Sequence, residues 1–358
     1  MHQSLRVPGS LPQRDKRQVY RPDEQGIYQG TVLAKYRVSV IFIRYLGAAN
    51  WLPFFLEFYL NMNLVQIVFE VTSDEQVTLL PHLYDAVRRF DNFFKSVTCY
   101  QKSPQCNLCK ENDQPCPYRA VFGQVLSNDP DVLRRHQKPP LPFSFKFRYI
   151  DHSNSSLELE LVIMGNAIRH LSAFVSAVYL MTKSVGKNIE VDVDVTGTWC
   201  RDYQGERHEL NSVSQSPVLL SAMEILESTL HSDPIRICLE SPLRLLRGGS
   251  VAHFFDFAIM LRSQLRRCSS LFAYYGEGEL EMDYVFMSEG ASKVNSFGND
   301  FKFMKPEWSQ RADLAGLLGE GEFRDLAYGM QPLLKLGSYF NAGKGAAFGM
   351  GVYRVEVV

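Results

Sequence analysis

The strongest constraint on the fold is an order of elements that occurs twice along the chain. In the first half, Leu64 to Thr72 (Leu-Val-Gln-Ile-Val-Phe-Glu-Val-Thr) is a run of good β formers and reads as a strand. Pro81 to Thr98 reads as a helix, because Leu83, Val87, Phe90, Phe94 and Val97 step by 4, 3, 4 and 3 residues and make one buried face. Phe143 to Ile150 and Leu157 to Met164 alternate as strands, joined by the turn-like Asp151-His152-Ser153-Asn154-Ser155. Asn166 to Thr182 is a second helix and Asn188 to Thr196 a closing strand. Strand, helix, strand, strand, helix, strand is the split βαβ order of a ferredoxin-like domain.

The second half repeats that order. Ile235 to Glu240 reads as a strand, and Val251 to Tyr274 as a long helix apolar at Phe254, Phe257, Leu261, Leu265, Cys268 and Phe272. Phe301 to Arg311 and Leu314 to Phe323 read as two strands. A helix capped by Asp325 runs toward Phe340, with Gly329 and Pro332 interrupting its start. Phe348 to Val357 closes the half as a strand. The expected fold is α+β, two tandem ferredoxin-like domains with an N-terminal extension. Residues 1–60 form the extension, partly disordered, with a strand from Thr31 to Arg44 and a short helix from Trp51 to Leu64. Residues 61–200 form the first domain, 201–233 a linker region with an amphipathic piece at Val218 to Leu230, and 234–358 the second domain. A chain of 358 residues with 46% apolar residues suffices for two domains and a core that needs no disulfides.

Net charge is −1, which argues against a generally basic nucleic-acid coat and leaves room for a local basic groove. The first 30 residues are polar and contain no apolar segment of the kind a secretory signal needs. The most apolar stretch, Val38 to Phe69, is interrupted by Arg44, Asn50, Pro53, Glu57, Asn61 and Asn63 and offers no clean membrane span. A soluble, cytoplasmic protein with no membrane partner is expected.

Four of the seven cysteines sit in one loop, Cys99-x6-Cys106-x2-Cys109-x6-Cys116. Four thiolates wrap a tetrahedral Zn²⁺, and the central pair forms the tight turn that presents two sulfurs to one ion. Fe–S ligation uses the same thiols, and four unligated cysteines are the plain alternative. A metal here is structural, a staple for a long turn-rich loop, and no cofactor is expected for catalysis.

The end of the chain carries Tyr339-Phe340-Asn341-Ala342-Gly343-Lys344-Gly345-Ala346-Ala347-Phe348-Gly349-Met350-Gly351, with four glycines in nine residues. The order helix, loop, strand excludes a P-loop and the dinucleotide fingerprint, both of which lie between a strand and a helix. Two readings remain: a tight helix-to-strand turn with close backbone packing, or an anion site built from free backbone N–H groups around Lys344. In the first helix, Tyr84, Arg88, Asp91 and Lys95 make a second stripe, read either as a solvated face or as polar groups facing a substrate.

Leu79-Leu80-Pro81 leads into a helix that ends at Cys99. Cys106-x2-Cys109-x6-Cys116-Pro117-Tyr118 and Val121-Phe122 follow, then Ser241-Pro242-Leu243-Arg244 closes a strand, then the glycine run from Gly343 to Tyr353. In this order the chain, from about residue 64 to 358, resembles the CRISPR repeat-processing endoribonucleases of the RAMP superfamily, in the branch with a cysteine-containing loop. The resemblance implies two ferredoxin-like domains, binding of CRISPR repeat RNA, and one metal-independent cut in which a ribose 2′-OH attacks the adjacent phosphate. The products are a 2′,3′-cyclic phosphate and a 5′-OH. Such chemistry wants a base, a cation and an acid. The family carries small residues and glycines in the first helix where this chain reads Tyr84-Asp85-Ala86-Val87-Arg88-Arg89. It often has its histidine in or just after that helix, whereas this chain has none between His82 and His136.

His82, Tyr84 and Lys95 are the candidate catalytic set, on or beside the first helix. Gly343, Lys344, Gly345, Gly349 and Gly351, together with Arg244, Arg262 and Arg266, are the candidate RNA contacts. Phe340, Phe348 and Tyr353 are candidates for base stacking, although alternation along the last strand favours Phe348 and Met350 as core residues. The alternative function is a non-catalytic RAMP-type subunit that holds guide RNA beside other subunits of a CRISPR effector complex.

Overall fold

The computed structural model describes residues 41–43, 52–54, 62–99, 106, 116–150, 155–210, 216–229, 232–280, 282–309 and 311–358. It divides into one unit of residues 1–57 and a second of residues 58–358. In the first unit β1 (Ile41–Ile43) pairs antiparallel with β2 (Leu52–Phe54), so the part of the expected Trp51–Leu64 helix that is described is strand.

The second unit contains both ferredoxin-like domains. In the first, β3 (Asn63–Ser73) is followed by α1 (Leu79–Val87) and α2 (Phe90–Thr98). Then come α3 (Pro117–Phe122), α4 (Pro130–Arg135), β4 (Phe143–Tyr149), β5 (Ser156–Met164), a 3₁₀ turn over Gly165–His170, α5 (Leu171–Ile189) and β6 (Val193–Arg201). The strands run β4-β5-β3-β6, all antiparallel. That is the ferredoxin-like order, with the first strand in the middle. β3 takes the centre because Val65, Ile67, Phe69 and Val71 all point at the helices, where they are fully buried with Leu83, Val87, Phe90, Phe94, Phe174 and Val178. Phe90 lies within ring-contact distance of Phe143, Phe145 and Phe174, at 5.7, 4.9 and 6.2 Å between centroids.

The expected single helix from Pro81 to Thr98 is two helices. Arg88 and Arg89 form a turn between them, with the Arg89 N–H donating to Ala86 O (2.9 Å). The apolar face holds through Phe94, but Val97 is 40% exposed and does not belong to it. The region expected as a linker extends the first sheet: β7 (Arg207–Glu209) pairs with β6, and β8 (Leu220–Ser221) pairs with β3 ahead of α6 (Ala222–Ser228).

The second domain begins with β9 (Ile235–Leu243), a ribbon of β10 (Leu246–Arg247) and β11 (Ser250–Val251), and α7 (Phe257–Tyr275). α8 (Tyr284–Ala291), β12 (Asn295–Phe297), β13 (Lys302–Met304), β14 (Gly316–Arg324), α9 (Met330–Phe340) and β15 (Tyr353–Val357) complete it. The sheet order β12-β14-β9-β15 repeats the first domain. The expected strand Phe301–Arg311 is only three residues long, and α7 starts six residues later than expected, because Asp256 caps it by accepting from Ile259 N–H (2.9 Å). α9 starts after Gly329, and Asp325 is not its cap.

The apolar core of the second domain takes in part of the first sheet. Leu64, Val162 and Met164, on the face of the first sheet away from its helices, pack with Ile225 of α6 and with residues of β9, α7 and α9. The rest of that sheet face is ionic. Lys146 and Glu160, both nearly fully buried, lie 2.7 Å apart, and Arg201 bridges Glu160 and Glu158 at 3.3 and 3.0 Å. Burial alone would raise the Glu160 carboxyl, but Lys146 and Arg148 outweigh it and hold the group below its ordinary value. Glu240 of β9 binds Arg148 of the first domain (3.4 Å) and Arg354 of the second (3.0 Å), which fixes the facing sheets relative to each other. Among the described residues no helix is long and apolar enough to cross a membrane.

Candidate nucleic-acid interface

The glycine run connects α9 to β15 and lies against the first domain. Gly343, Gly345, Gly349 and Gly351 all have positive φ, between 66° and 85°. At Gly351 a Cβ would sit 2.0 Å from the Ala342 carbonyl oxygen; at Gly349 it would sit 2.8 Å from the Phe147 ring of the first domain. Asn341, fully buried, donates from Nδ2 to Phe145 O and to Ala346 O (both 2.9 Å), so one amide ties the loop to β4 and to itself. Several of the loop's N–H groups are used inside the protein. Lys344 N donates to Arg244 O (2.9 Å), Phe348 N to Gly345 O (2.8 Å), Gly351 N to Pro242 O (3.0 Å) and Val352 N to Ser241 Oγ (2.8 Å). With the N–H groups of Ala342 and Met350 also bonded inside the loop, these contacts favour the tight-turn reading. The glycines make a tight turn wedged between domains, and the group they present outward is the exposed Lys344 side chain.

α1 is the first domain's side of the same contact. The Tyr84 hydroxyl donates to Gly349 O (2.9 Å), and its ring stacks on Trp308 (4.5 Å) and tilts against Phe147 (4.7 Å). Leu80, Tyr84, Leu314 and Met350 form a small buried cluster there. Next to it, Arg311 bonds Asp85 (2.6 Å) and Asp313 (3.1 Å), and Arg88 pairs with Asp313. Hydrogen bonds from Arg311 and Arg88 hold the Asp313 carboxyl well below the usual carboxylate range. Of that stripe, Tyr84 is buried in the contact between the domains, and Arg88, itself exposed, pairs with Asp313 across it; together they latch the domains.

These contacts revise the candidate catalytic set. Tyr84 is 3% exposed with its hydroxyl committed, and burial pushes its phenol far up, so it holds its proton firmly and is a poor acid. Lys95 stands over the Tyr118 ring (5.5 Å), and the hydrogen bond it donates to Cys106 raises its ammonium. It lies on α2, and no contact joins it to His82 or Tyr84. His82 alone of the three is exposed, in the first turns of α1 and two residues before Tyr84.

Arg244 is half-buried. It donates from Nη1 to Asp313 O, and its Nε is buried with no partner. It braces the latch and is not free for phosphate. Arg262 and Arg266 lie on α7, away from the loop's tether, and line a separate cavity with Arg247. Phe340 and Tyr353 are buried and cannot stack on a base; Phe348, in a 3₁₀ turn, packs edge-on to Phe143 (6.2 Å).

Cys99 and Cys116 end α2 and precede α3, and Cys106 is exposed; Cys109 lies outside the described residues. Among the described residues no three His, Cys, Asp or Glu side chains are arranged to hold a metal.

Sequence reasoning missed Trp308, Arg311, Asp313 and Asn341. Only Asn341 carried a signal, as an asparagine at the end of a helix directly before a glycine run. A lone Trp and an Arg-x-Asp in a loop look like any surface segment.

The family model of the CRISPR-associated endoribonuclease Cas6 matches residues 237–353, from β9 through the glycine loop to the start of β15. A second family model, for an N-terminal domain, matches residues 62–216. Among curated proteins, none matches the chain in sequence. Among solved structures, Thermus thermophilus Cas6 is similar at 13% identity, over 82% of this chain and 98% of that one, with a TM-score of 0.49. A Cas6 product complex is similar at 12% identity, over 82% and 99%, with a TM-score of 0.46. The match in sequence runs from within β9 to the start of β15, and its glycine loop is the element seated on the first domain. By that match residues 237–353 of the chain are similar to the CRISPR-associated endoribonuclease family Cas6.

Proposed function

We propose that the protein binds CRISPR repeat RNA and cuts precursor transcripts into guide RNAs. The cut is a metal-independent attack of a ribose 2′-OH on the adjacent phosphate, which leaves a 2′,3′-cyclic phosphate and a 5′-OH. The observation that carries this reading is the seating of the matched glycine loop on α1 through Tyr84 and Gly349. It brings the exposed Lys344 and the exposed His82 to elements that touch. His82 has the chemistry to take the 2′-OH proton, and Lys344 that to meet the phosphate.

A second reading is favoured by one observation. Tyr84 and Lys95 do not join His82, so among the described residues the first domain assembles no base, acid and cation set by itself. On this reading the chain holds guide RNA within an effector complex without cutting it. Incubation with the repeat RNA of the same genome in EDTA separates the two. Cleavage to a cyclic-phosphate end is expected; tight binding of RNA that stays intact would favour the second reading.

The spacing of Cys99, Cys106, Cys109 and Cys116 is put to a separate test. Elemental analysis of protein purified without added metal is expected to find about one zinc per chain. Seven titratable thiols and no metal would overturn the zinc assignment.

A further inference from the structure

The second domain has a basic, partly aromatic cavity that the latch does not use. It lies between the β10–β11 ribbon, α7 and α8 and has a volume of about 460 Å³. Ile259 and Leu265, both buried, give it an apolar floor, and the half-exposed Tyr284 ring forms a wall, anchored by its hydroxyl to Leu280 O (3.2 Å). Arg247, Arg262 and Arg266 reach it from two elements. None of these three guanidinium groups has an ion-pair partner among the described residues. Arg262 is 3.4 Å from Ser288 Oγ, and Arg247 stands over the Phe254 ring (5.5 Å). Elsewhere in the unit many arginines are matched to carboxylates, among them Arg88, Arg148, Arg201, Arg236, Arg311 and Arg354.

Arg262 also lines a neighbouring cavity of about 280 Å³, bounded by Ser292, Ser296 and Asn299. Asp256 borders it too, but its carboxylate is engaged as the cap of α7. One guanidinium thus stands between two hollows of nucleotide size. The ribbon leaves the chain just after Arg244, whose carbonyl holds the glycine loop at Lys344, so the two basic features adjoin along the backbone.

Unpaired cations side by side repel, and a protein of net charge −1 has carboxylates to spare for pairing. Their arrangement fits an anion that arrives from outside. The apolar floor and aromatic wall fit a base face rather than a bare ion, and base faces are exposed only in unpaired strands. Resting on the RNA-binding reading above, we propose that these adjoining cavities hold two consecutive nucleotides of single-stranded RNA. The phosphate between them lies on Arg262, the two flanking phosphates lie on Arg247 and Arg266, and one base lies against Tyr284.

The test uses the full chain and two probes: a short labelled single strand from the repeat, and a blunt RNA duplex of the same composition. The exposed pair Arg247→Ala/Arg266→Ala is expected to weaken single-strand binding about tenfold or more. It should also reduce the slope of log affinity against log salt by about 1.4, at roughly 0.7 per lost phosphate contact. Duplex binding should not change. Tyr284→Leu should cost about 5- to 150-fold, the span of one stacked base, and Tyr284→Phe should restore binding. Unchanged affinity and slope in variants that still melt and cut like wild type would overturn the site alone. Equal losses on both probes would also overturn it, as would a variant that sheds a co-purifying protein at constant RNA affinity. Wild-type protein that binds no RNA would remove the functional reading itself.

Discussion

His82→Ala is expected to lower the single-turnover rate of repeat cleavage by about 100-fold or more, with RNA affinity unchanged. The lower bound is what a positioned general base contributes. His253 stacks face to face on Phe303 (4.1 Å), and His136 bonds Ser269 (3.0 Å) where burial pushes its imidazole below its ordinary value. His208 pairs with Asp202 (2.9 Å), and the Nε2 of His170 is buried with no partner. His82 is exposed and sits on the helix that carries Tyr84 to the glycine loop. Lys95→Ala is the control. Because Lys95 faces Tyr118, its loss should leave the cut intact while altering the cysteine loop. Measured under single-turnover conditions, the rate reports the chemical step and not product release. A His82→Ala protein that cuts at the wild-type rate would place the base elsewhere, and a loss in Lys95→Ala equal to that in His82→Ala would restore the larger catalytic set.

The architecture was legible because each domain writes its order in apolar periodicity. Leu83, Val87, Phe90 and Phe94 keep their spacing across the break between α1 and α2, which is why one helix was read where two exist. The break itself, at Arg88-Arg89, has no glycine or proline to announce it. What could not be read was contact between distant residues. Tyr84 and Gly349 are separated by 265 residues, and nothing in either segment names the other. A polar stripe at helical spacing looks the same whether it meets water, RNA or a second domain. The glycine loop was legible as a loop, with two readings open, and only the hydrogen bonds of its N–H groups decided between them. Arg262 and Arg266 were singled out from one helix face. Their cavity needed Tyr284 and the β10–β11 ribbon, which sequence periodicity does not bring together.

Gly351→Ala is expected to destabilise the protein by at least about 3 kcal/mol, from a left-handed backbone forced on an L residue and a clash that cannot relax. Its φ is +66°, and the obstructing atom is the Ala342 carbonyl oxygen at 2.0 Å, itself held by the loop's turn. Gly349→Ala acts on a different contact. Its Cβ would meet the Phe147 ring at 2.8 Å and Tyr84 at 3.3 Å, side chains of the first domain, so the strain falls on the joint between domains. The Tyr84 ring stacks on Trp308, and Gly349→Ala should shift that tryptophan's fluorescence at temperatures where Gly351→Ala has already melted. Gly248→Ala, at φ +57° with nothing within 4 Å, calibrates the cost of the backbone conformation alone, about 1–2 kcal/mol. Lys344→Ala should leave the melting temperature unchanged and weaken RNA binding, since its side chain is exposed and only its backbone is tied. Calorimetry and RNA titration on the same four variants therefore separate the two tasks of the loop: if Gly349→Ala and Gly351→Ala melt no lower than Gly248→Ala, the glycines are not there to let the domains close on each other, and if Lys344→Ala binds RNA as wild type does, the loop's exposed edge is not where the phosphate sits.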